Sequence, residues 1–450
     1  MTRLQKVTIS AALALTLLPW VVAGQPDGPR LTPVLILPGI LGSVLVDAGS
    51  LFEHFLWPGP AMLGGDIEPL RLPASGKGDL GIDVRPTGLV GYIEPLSAAL
   101  FDGTLLGPVS PTWFYERLPA RLRELSYYGG LIASLQTGGY VADRDLFAFP
   151  YDWRRDLLET RDLLAERVEE ILAQTGAAKI DIVAHSMGGL LARAYVNSVP
   201  DPPIGKLVMM GTPSHGAPDA FVSLHSALGQ GRFLLGDETA QDLSSNWPSV
   251  FQLLPSPEYF VLYEHIFVDE FGPQREGPLT ASTGQGTWAL TFLENEDSSI
   301  ADVNMLLLSD AAHSARAFHE RIGRSLTFGG ELVLIAGSGG DTTGSILKTD
   351  AGAHTWYSLP TNGDGTVPLR SVTRLDSSGP VTIYHTTAGH EAMLTDLAVG
   401  KLLAAVLRGD PDTVAELLAT NATLRQEQSL TDGREDEAFP LLDGVVTPLD

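Results

Sequence analysis

The chain has 450 residues, of which 44% are hydrophobic and only 18% charged, enough apolar content for a large core. A formal net charge of −25 repels a phosphate backbone, which excludes nucleic acid as a partner; it also opposes electrostatic docking on an anionic membrane, though not hydrophobic insertion. The absence of cysteine excludes a disulfide framework, a thiolate nucleophile and Cys-ligated metals or clusters.

Residues 1–24 carry Arg3 and Lys6, an apolar run over 7–18, a helix-breaking Pro19 and the small-residue stretch Val21-Val22-Ala23-Gly24. That order is the order of a secretory signal, with an uncleaved anchor as the alternative. Export is therefore expected, to the medium, the periplasm or the cell surface. No other window holds about 18 unbroken apolar residues, so no other membrane span is expected.

Pro33-Val34-Leu35-Ile36-Leu37-Pro38-Gly39 is a short apolar run closed by Pro-Gly, as expected of a strand buried on both faces. Over 44–113 the pattern dissolves into Gly, Pro and scattered aromatics (Phe52, Phe55, Trp57), which predicts an insertion on the core. Regular alternation then returns, with helices expected over 119–135, 157–174 and 187–199 and strands over 146–149, 179–184 and 207–211. In the helix over 157–174, Leu164, Val168, Ile171 and Leu172 share one face and Gly176 sits at the C-cap. Strand–helix repetition of this kind predicts a mostly parallel sheet with helices on both faces. A second insertion is expected over 214–330, with prolines and aromatics such as Phe251, Tyr259, Phe260, Phe267 and Phe271. Strands over 332–336 and 381–384 and a closing helix over 391–407 complete the core, which thus draws on 31–43, 114–213 and 331–408. Residues 409–450 read as an acidic tail, disordered over its last 20 or so residues.

The chemistry-bearing run is Ala184-His185-Ser186-Met187-Gly188-Gly189, between an apolar strand and an apolar helix. A small-x-Ser-x-Gly turn at that junction lifts the hydroxyl into solvent on a strained backbone. Serine needs a base to take its proton and the base needs an orienting carboxylate, in the chain order Ser, acid, His for this fold. Asp364, in Thr361-Asn362-Gly363-Asp364-Gly365-Thr366-Val367-Pro368, and His390, just before the last helix, fit that order. The plainer reading of Asp364 is a turn aspartate capping its own loop. Among the other histidines, His54, His225, His265, His313, His319 and His354 rank low as bases, His385 ends a strand and His215 is placed to line the site. His185 points the wrong way to serve its neighbour and is expected to pack. Oxyanion donors are expected from the N–H of Met187, at a helix start, and of Ile40, with Leu41 as the near rival. The plainer reading of that loop is a tight turn. Gly337-Ser338-Gly339-Gly340-Asp341 lacks a strand–GxGxxG–helix setting and reads as a loop, and neither His-x-x-His nor His-Glu-x-x-His occurs. No nucleotide, cofactor or metal is expected.

The segments Pro33 to Gly42, Ala148-Phe149-Pro150-Tyr151-Asp152-Trp153-Arg154, Ala184 to Gly189, Gly363 to Pro368 and Gly389-His390 resemble the lecithin:cholesterol acyltransferase and lysosomal phospholipase A family, in the family's order. Pro-Tyr-Asp-Trp-Arg is the most specific element. The resemblance implies an α/β-hydrolase core with an early membrane-contacting loop over 44–113 and a lid over 214–330. It implies Ser186, Asp364 and His390 as a triad, with Met187 and Ile40 as oxyanion donors. It also sets Trp57 in the early loop as a lipid contact, and makes Asp152 and Arg154 structural. Three departures stand out: the early loop has no cysteine pair, Ile40 replaces a polar residue, and Ala184 replaces the elbow glycine. The implied function is a serine-dependent lipid acyl hydrolase or O-acyltransferase working through an acyl-Ser intermediate. Its partner would be a phospholipid-like ester at a membrane or lipoprotein-like interface, with water or a lipid alcohol as acceptor. A triacylglycerol lipase or carboxylesterase on the same core and a non-catalytic lipid-binding protein are the alternatives.

Overall fold

Strands buried on both faces read as near-continuous apolar runs, and the apolar runs of this chain pair side by side. The computed structural model describes residues 30–49, 54–58, 68–73, 75–91, 127–220, 246–256, 258–259, 267–268, 316–349, 355–427 and 447–448. The expected signal over 1–24 and large parts of both insertions lie outside these residues, as do Phe52, Phe260 and Phe271. The chain divides into Met1–Leu31 and Thr32–Asp450; the architecture below is that of the second unit.

Strand β1 (Val34–Leu37) is followed by β2 (Ser43–Asp47), β3 (His54–Trp57), β4 (Val84–Leu89), β5 (Leu146–Ala148), β6 (Ile180–His185), β7 (Ile204–Met210), β8 (Glu331–Gly337), β9 (Gly340–Thr349), β10 (Thr355–Gly363), β11 (Val381–Thr386) and β12 (Leu424–Gln426). Seven of them form the central sheet in the order β12-β11-β8-β7-β6-β1-β5. All its pairings are parallel except β11 with β12, and Val34 to Leu37 and Ile180 to His185 are buried throughout. Helices α1 (Tyr127–Thr137), α2 (Leu157–Thr175), α3 (Met187–Val196), α4 (Leu397–Arg408) and α5 (Pro411–Thr420) accompany it. The mostly parallel sheet and its helices form an α/β-hydrolase core. Among the described residues no helix is long and apolar enough to cross a membrane.

Local chemistry sets the helix ends. Asp156 caps α2 by accepting from the Leu158 N–H, and Gly176, at φ 70°, closes it with its N–H on the Leu172 carbonyl. Leu164, Val168 and Ile171 are buried, each contributing about 1.5–3 kcal/mol of apolar burial. Helix α3 ends at Val196 rather than 199, because Asn197 turns its amide to the Ile322 and Ser325 carbonyls and Pro200 disfavours helix in the residue before it. The closing helix begins at Leu397 rather than 391: Asp396 accepts from the Ala398 and Val399 N–H groups and sets a new start, after a 3-10 turn at Ala392–Leu394.

Three features depart from the sequence reading. The early insertion contains an antiparallel sheet β3-β2-β4, whose Val44, Leu45, Val46 and Trp57 join the main core. The Gly-rich stretch at 337–341, expected as a loop, opens the antiparallel hairpin β9–β10, which leaves the sheet at Gly340 and returns to Asp364. The segment expected as a tail adds α5, capped by Asp410 with Pro411 in its first turn, and then β12 on the edge of the sheet. The core sheet thus extends to Gln426 instead of ending near 408.

Candidate active site

Three turns meet in one place, two at carboxyl ends of central-sheet strands and one at the end of the hairpin strand β10. The first follows β6. Ser186 stands between strand and helix with φ 53° and ψ −128°, a conformation that costs a non-glycine residue about 1–3 kcal/mol. Its N–H donates to the Met210 carbonyl (2.9 Å), so the sheet itself holds the strained residue. The turn tolerates no bulk beyond it: an added Cβ on Gly188 would lie 2.6 Å from the carbonyl oxygens of Leu37 and Pro38, and one on Gly189 would lie 2.1 Å from Thr212 Oγ1. Ala184, in the place of the usual glycine, is fully buried in the strand.

The second and third turns follow β10 and β11. His390 Nε2 lies 2.9 Å from Ser186 Oγ and its Nδ1 lies 2.7 Å from Asp364 Oδ2. The other oxygen of Asp364, Oδ1, accepts from the Thr366 and Val367 N–H groups, so this residue both caps its own loop and faces the imidazole. Its carbonyl accepts from the His390 N–H (2.9 Å). Glycine is needed at the ends of β8 and just after β7: a Cβ on Gly337 would come 2.4 Å from Asp364 Cβ, and one on Gly211 3.0 Å from both Asp364 Oδ2 and His390 Nδ1. Ser186, Asp364 and His390 are all buried. Burial works against charge on His390, but the Asp364 carboxylate and its hydrogen bond outweigh this, helped by Glu391 and Asp219, and push its pKa up to about 9.

The loop after β1 packs against the serine, since a Cβ on Gly39 would sit 2.8 Å from Ser186 Cβ. Its backbone is pinned group by group. The Pro38 carbonyl accepts from Tyr151 Oη (2.8 Å), the Gly39 N–H donates to Tyr128 Oη (2.7 Å), the Gly42 N–H closes a turn on the Gly39 carbonyl (3.1 Å), and Trp57 Nε1 donates to the Leu41 carbonyl (2.7 Å). Among the described residues the N–H groups of Ile40 and Leu41 have no partner, nor has that of Met187 at the start of α3. Free donors in the turns that flank a serine hydroxyl are candidates to receive a negative oxygen.

Trp57 requires a correction. It is fully buried, edge-on to Trp153 with ring centroids 5.7 Å apart, and its only polar atom is spent on Leu41. A side chain so enclosed has no surface for a lipid, and it braces the loop after β1 instead. His225, His265, His313 and His354 lie outside the described residues, and His215, His319 and His385 are engaged elsewhere. His215 donates from Nε2 to the Arg374 carbonyl and His319 to the Leu254 carbonyl; burial, then Arg193, brings their pKa values down to about 4 and about 3. His385 pairs with Glu427 beside β12. His185 does more than pack: its ring bridges Tyr128 and the His390 backbone. Arg154, fully buried, is held by Asp152, Asp79 and the Leu70 carbonyl, tying the early insertion to the core. Tyr128 and Asp219 carry no sequence signal for their part in the site, and Tyr151 is marked only as part of the Pro-Tyr-Asp-Trp-Arg segment. Among the described residues no group of three or more His, Asp or Glu side chains could hold a metal.

Over residues 112–273 the chain matches a family model described as Lecithin:cholesterol acyltransferase. That span holds Ser186, Met187 and the Pro-Tyr-Asp-Trp-Arg segment, while Asp364 and His390 lie beyond it. The chain is 26% identical over 245 residues to "Lecithin-cholesterol acyltransferase-like 4" of Arabidopsis thaliana, covering 52% of this chain and 44% of that one. It is 27% identical over 166 residues to "Phospholipase A(1) LCAT3" of the same plant, covering 34% and 36%. With "Lysosomal phospholipase A and acyltransferase" of Rattus norvegicus it shares 26% identity over 214 residues, covering 43% and 47%. The chain thus spans less than half the length of these curated relatives.

Proposed function

We propose that this chain, a relative of the lecithin:cholesterol acyltransferase family, is an exported serine-dependent lipid acyl hydrolase or O-acyltransferase. The observation that carries the reading is the hydrogen-bonded line Asp364–His390–Ser186, flanked by the N–H groups of Met187 and Ile40, which have no partner among the described residues. His390 Nε2 takes the Ser186 proton while Asp364 holds the Nδ1–H tautomer, and the Ser186 oxygen attacks the ester carbonyl. The Met187 and Ile40 N–H groups receive the oxyanion, each worth about 100- to 1,000-fold in rate. The imidazolium returns its proton to the departing alcohol, leaving an acyl-Ser. Water or a lipid alcohol, deprotonated by His390, then attacks the acyl-Ser, and Ser186 recovers its proton. The ester class is phospholipid-like, a choice supported by similarity to a phospholipase A(1) and to a lysosomal phospholipase A and acyltransferase. The insertions over 44–113 and 214–330 serve as cap and lid over a lipid interface.

The test is purified protein on phospholipid vesicles containing a sterol, with products separated into free fatty acid and steryl ester. Wild type is expected to release fatty acid, form steryl ester, or both, and Ser186→Ala to lose both along with labelling by a fluorophosphonate. Full turnover by Ser186→Ala would overturn the acyl-Ser mechanism. Cleavage of soluble short-chain esters with no rise in rate on vesicles would overturn the lipid assignment.

A further inference from the structure

A second line of hydrogen bonds runs behind the first. The Gly39 N–H donates to Tyr128 Oη (2.7 Å), Tyr128 Oη lies 3.0 Å from His185 Nδ1, and His185 Nε2 lies 3.0 Å from the His390 carbonyl oxygen. Donor and acceptor roles along it follow from chemistry. A carbonyl only accepts, so His185 Nε2 carries a proton. Burial first, and then the neighbouring His390, hold the His185 pKa well below the ordinary 6.5, so the ring is neutral and has one proton to give. Nδ1 must then accept, Tyr128 must donate its hydroxyl proton there, and the Tyr128 oxygen is left to accept from Gly39. One arrangement satisfies every atom. The groups it joins are the main chain of the loop after β1 and the main chain of the residue facing Ser186.

We propose that Tyr128 and His185 are positioning residues that hold the Gly39–Ile40 donor loop and the His390 backbone in one register across Ser186. This rests on the acyl-transfer reading above. The line matters because each end is already constrained from its far side. His390 gives its N–H to the Asp364 carbonyl, so His185 fixes the other peptide group of the same residue. Tyr151 holds the Pro38 carbonyl, so Tyr128 fixes the next N–H along the loop and takes Gly39 out of competition for the oxyanion, leaving Ile40 as the donor next in line. The loop leaves no room for a Cβ at Gly39, which would sit 2.8 Å from Ser186 Cβ, so a shift of the loop toward the serine is felt at the nucleophile. The His185 and His390 rings, 4.7 Å apart, complete the contact.

An oxyanion forms only on the way to the transition state, so loosening the register lowers kcat and leaves KM nearly unchanged. Tyr128→Phe keeps the ring and cuts the hydroxyl's bonds to Gly39 and His185. His185→Gln keeps a donor for the His390 carbonyl and cuts the Tyr128 end. Each is expected to lose about 10- to 100-fold in kcat on a p-nitrophenyl acyl ester, with KM within about twofold and a matching slowing of fluorophosphonate labelling. His185→Phe, which cuts every bond, is expected to lose more than His185→Gln, and that partial rescue is an outcome simple core packing would not give. A kcat within twofold of wild type in folded Tyr128→Phe, or a loss confined to KM, overturns the proposal. Should Tyr128→Phe fail to fold, the same criteria applied to His185→Gln decide it. The two readings fail separately: turnover by Ser186→Ala overturns the acyl-Ser mechanism, whereas an inactive Ser186→Ala with fully active Tyr128→Phe and His185→Gln overturns only the positioning role.

Discussion

Arg154→Met removes a guanidinium with no exposed surface and tests what the most specific segment of the chain is for. Arg154 Nε and Nη2 reach the two oxygens of Asp152 (2.8 and 2.7 Å), Nη2 also reaches Asp79 (2.9 Å), and Nη1 donates to the Leu70 carbonyl (3.2 Å). Breaking a buried pair by removing one partner costs about 3–5 kcal/mol, because a buried charge is left uncompensated. Here Arg155 stays beside both carboxylates, 3.1 Å from Asp152 and 2.7 Å from Asp79, so the lower end, about 3 kcal/mol, is expected. For a domain of this size that lowers the melting temperature by roughly 3–4 °C, measured by scanning calorimetry at pH 7. Burial alone would raise the Asp152 pKa, but the Arg154 hydrogen bond and charge turn the shift downward from 3.8. A depressed carboxylate stabilises the fold above its unfolded value and loses that contribution as pH falls through the folded one, so the gap between variant and wild type closes below about pH 3.8. An unchanged melting temperature with a tenfold loss of kcat would refute a structural role and give Arg154 to the chemistry.

Two further outcomes follow from the titrating groups. Since His390 must be neutral to take a proton and Asp364 pushes its pKa to about 9, kcat/KM should rise with pH across 7 to 9; Asp364→Asn should bring the limb down toward 6.5 and cost about 10,000-fold in kcat, and a wild-type limb already complete at pH 6.5 refutes the assignment. His319 has a folded pKa near 3, so between pH 6.5 and 3 the unfolded chain binds the proton that the folded chain refuses, and stability falls with pH by about 2 kcal/mol at pH 5; His319→Gln, which keeps a donor for the Leu254 carbonyl, should show a smaller drop in melting temperature from pH 7 to 5 than wild type does.

What could be read from the sequence was what repeats or turns locally. Strands β1, β6 and β8 are legible because a strand covered on both faces is mostly apolar along its length, and α2 because its buried Leu164, Val168 and Ile171 fall on one stripe. Hairpin β9–β10 was not, since its first residues are glycines and threonines that turn chemistry claims equally well. Strand β12 has three residues, too few to show a period. Trp57 illustrates the cost of judging a residue by its neighbours: Gly and Pro around it suggest exposure, while the partners that bury it, Leu41 and Trp153, lie on other elements. Tyr128 and His185 are 57 residues apart, Tyr128 and Gly39 89, and no local pattern encodes such a meeting.

Asp364 shows why the plainer and the chemical reading of one residue need not compete. In the sequence it is a Gly-flanked aspartate in a turn, and the structure gives that reading its oxygen: Oδ1 accepts the Thr366 and Val367 N–H groups. The same bonds aim Oδ2 at His390 Nδ1, because a carboxylate held by one oxygen has its other direction fixed as well. The loop cap is therefore the device that orients the imidazole, and the glycines at 211 and 337 leave room for it. Asparagine at 364 can keep its carbonyl oxygen on the loop and place an amide where Oδ2 was. It therefore separates the two roles, sparing the turn while presenting a donor to a nitrogen that must itself donate.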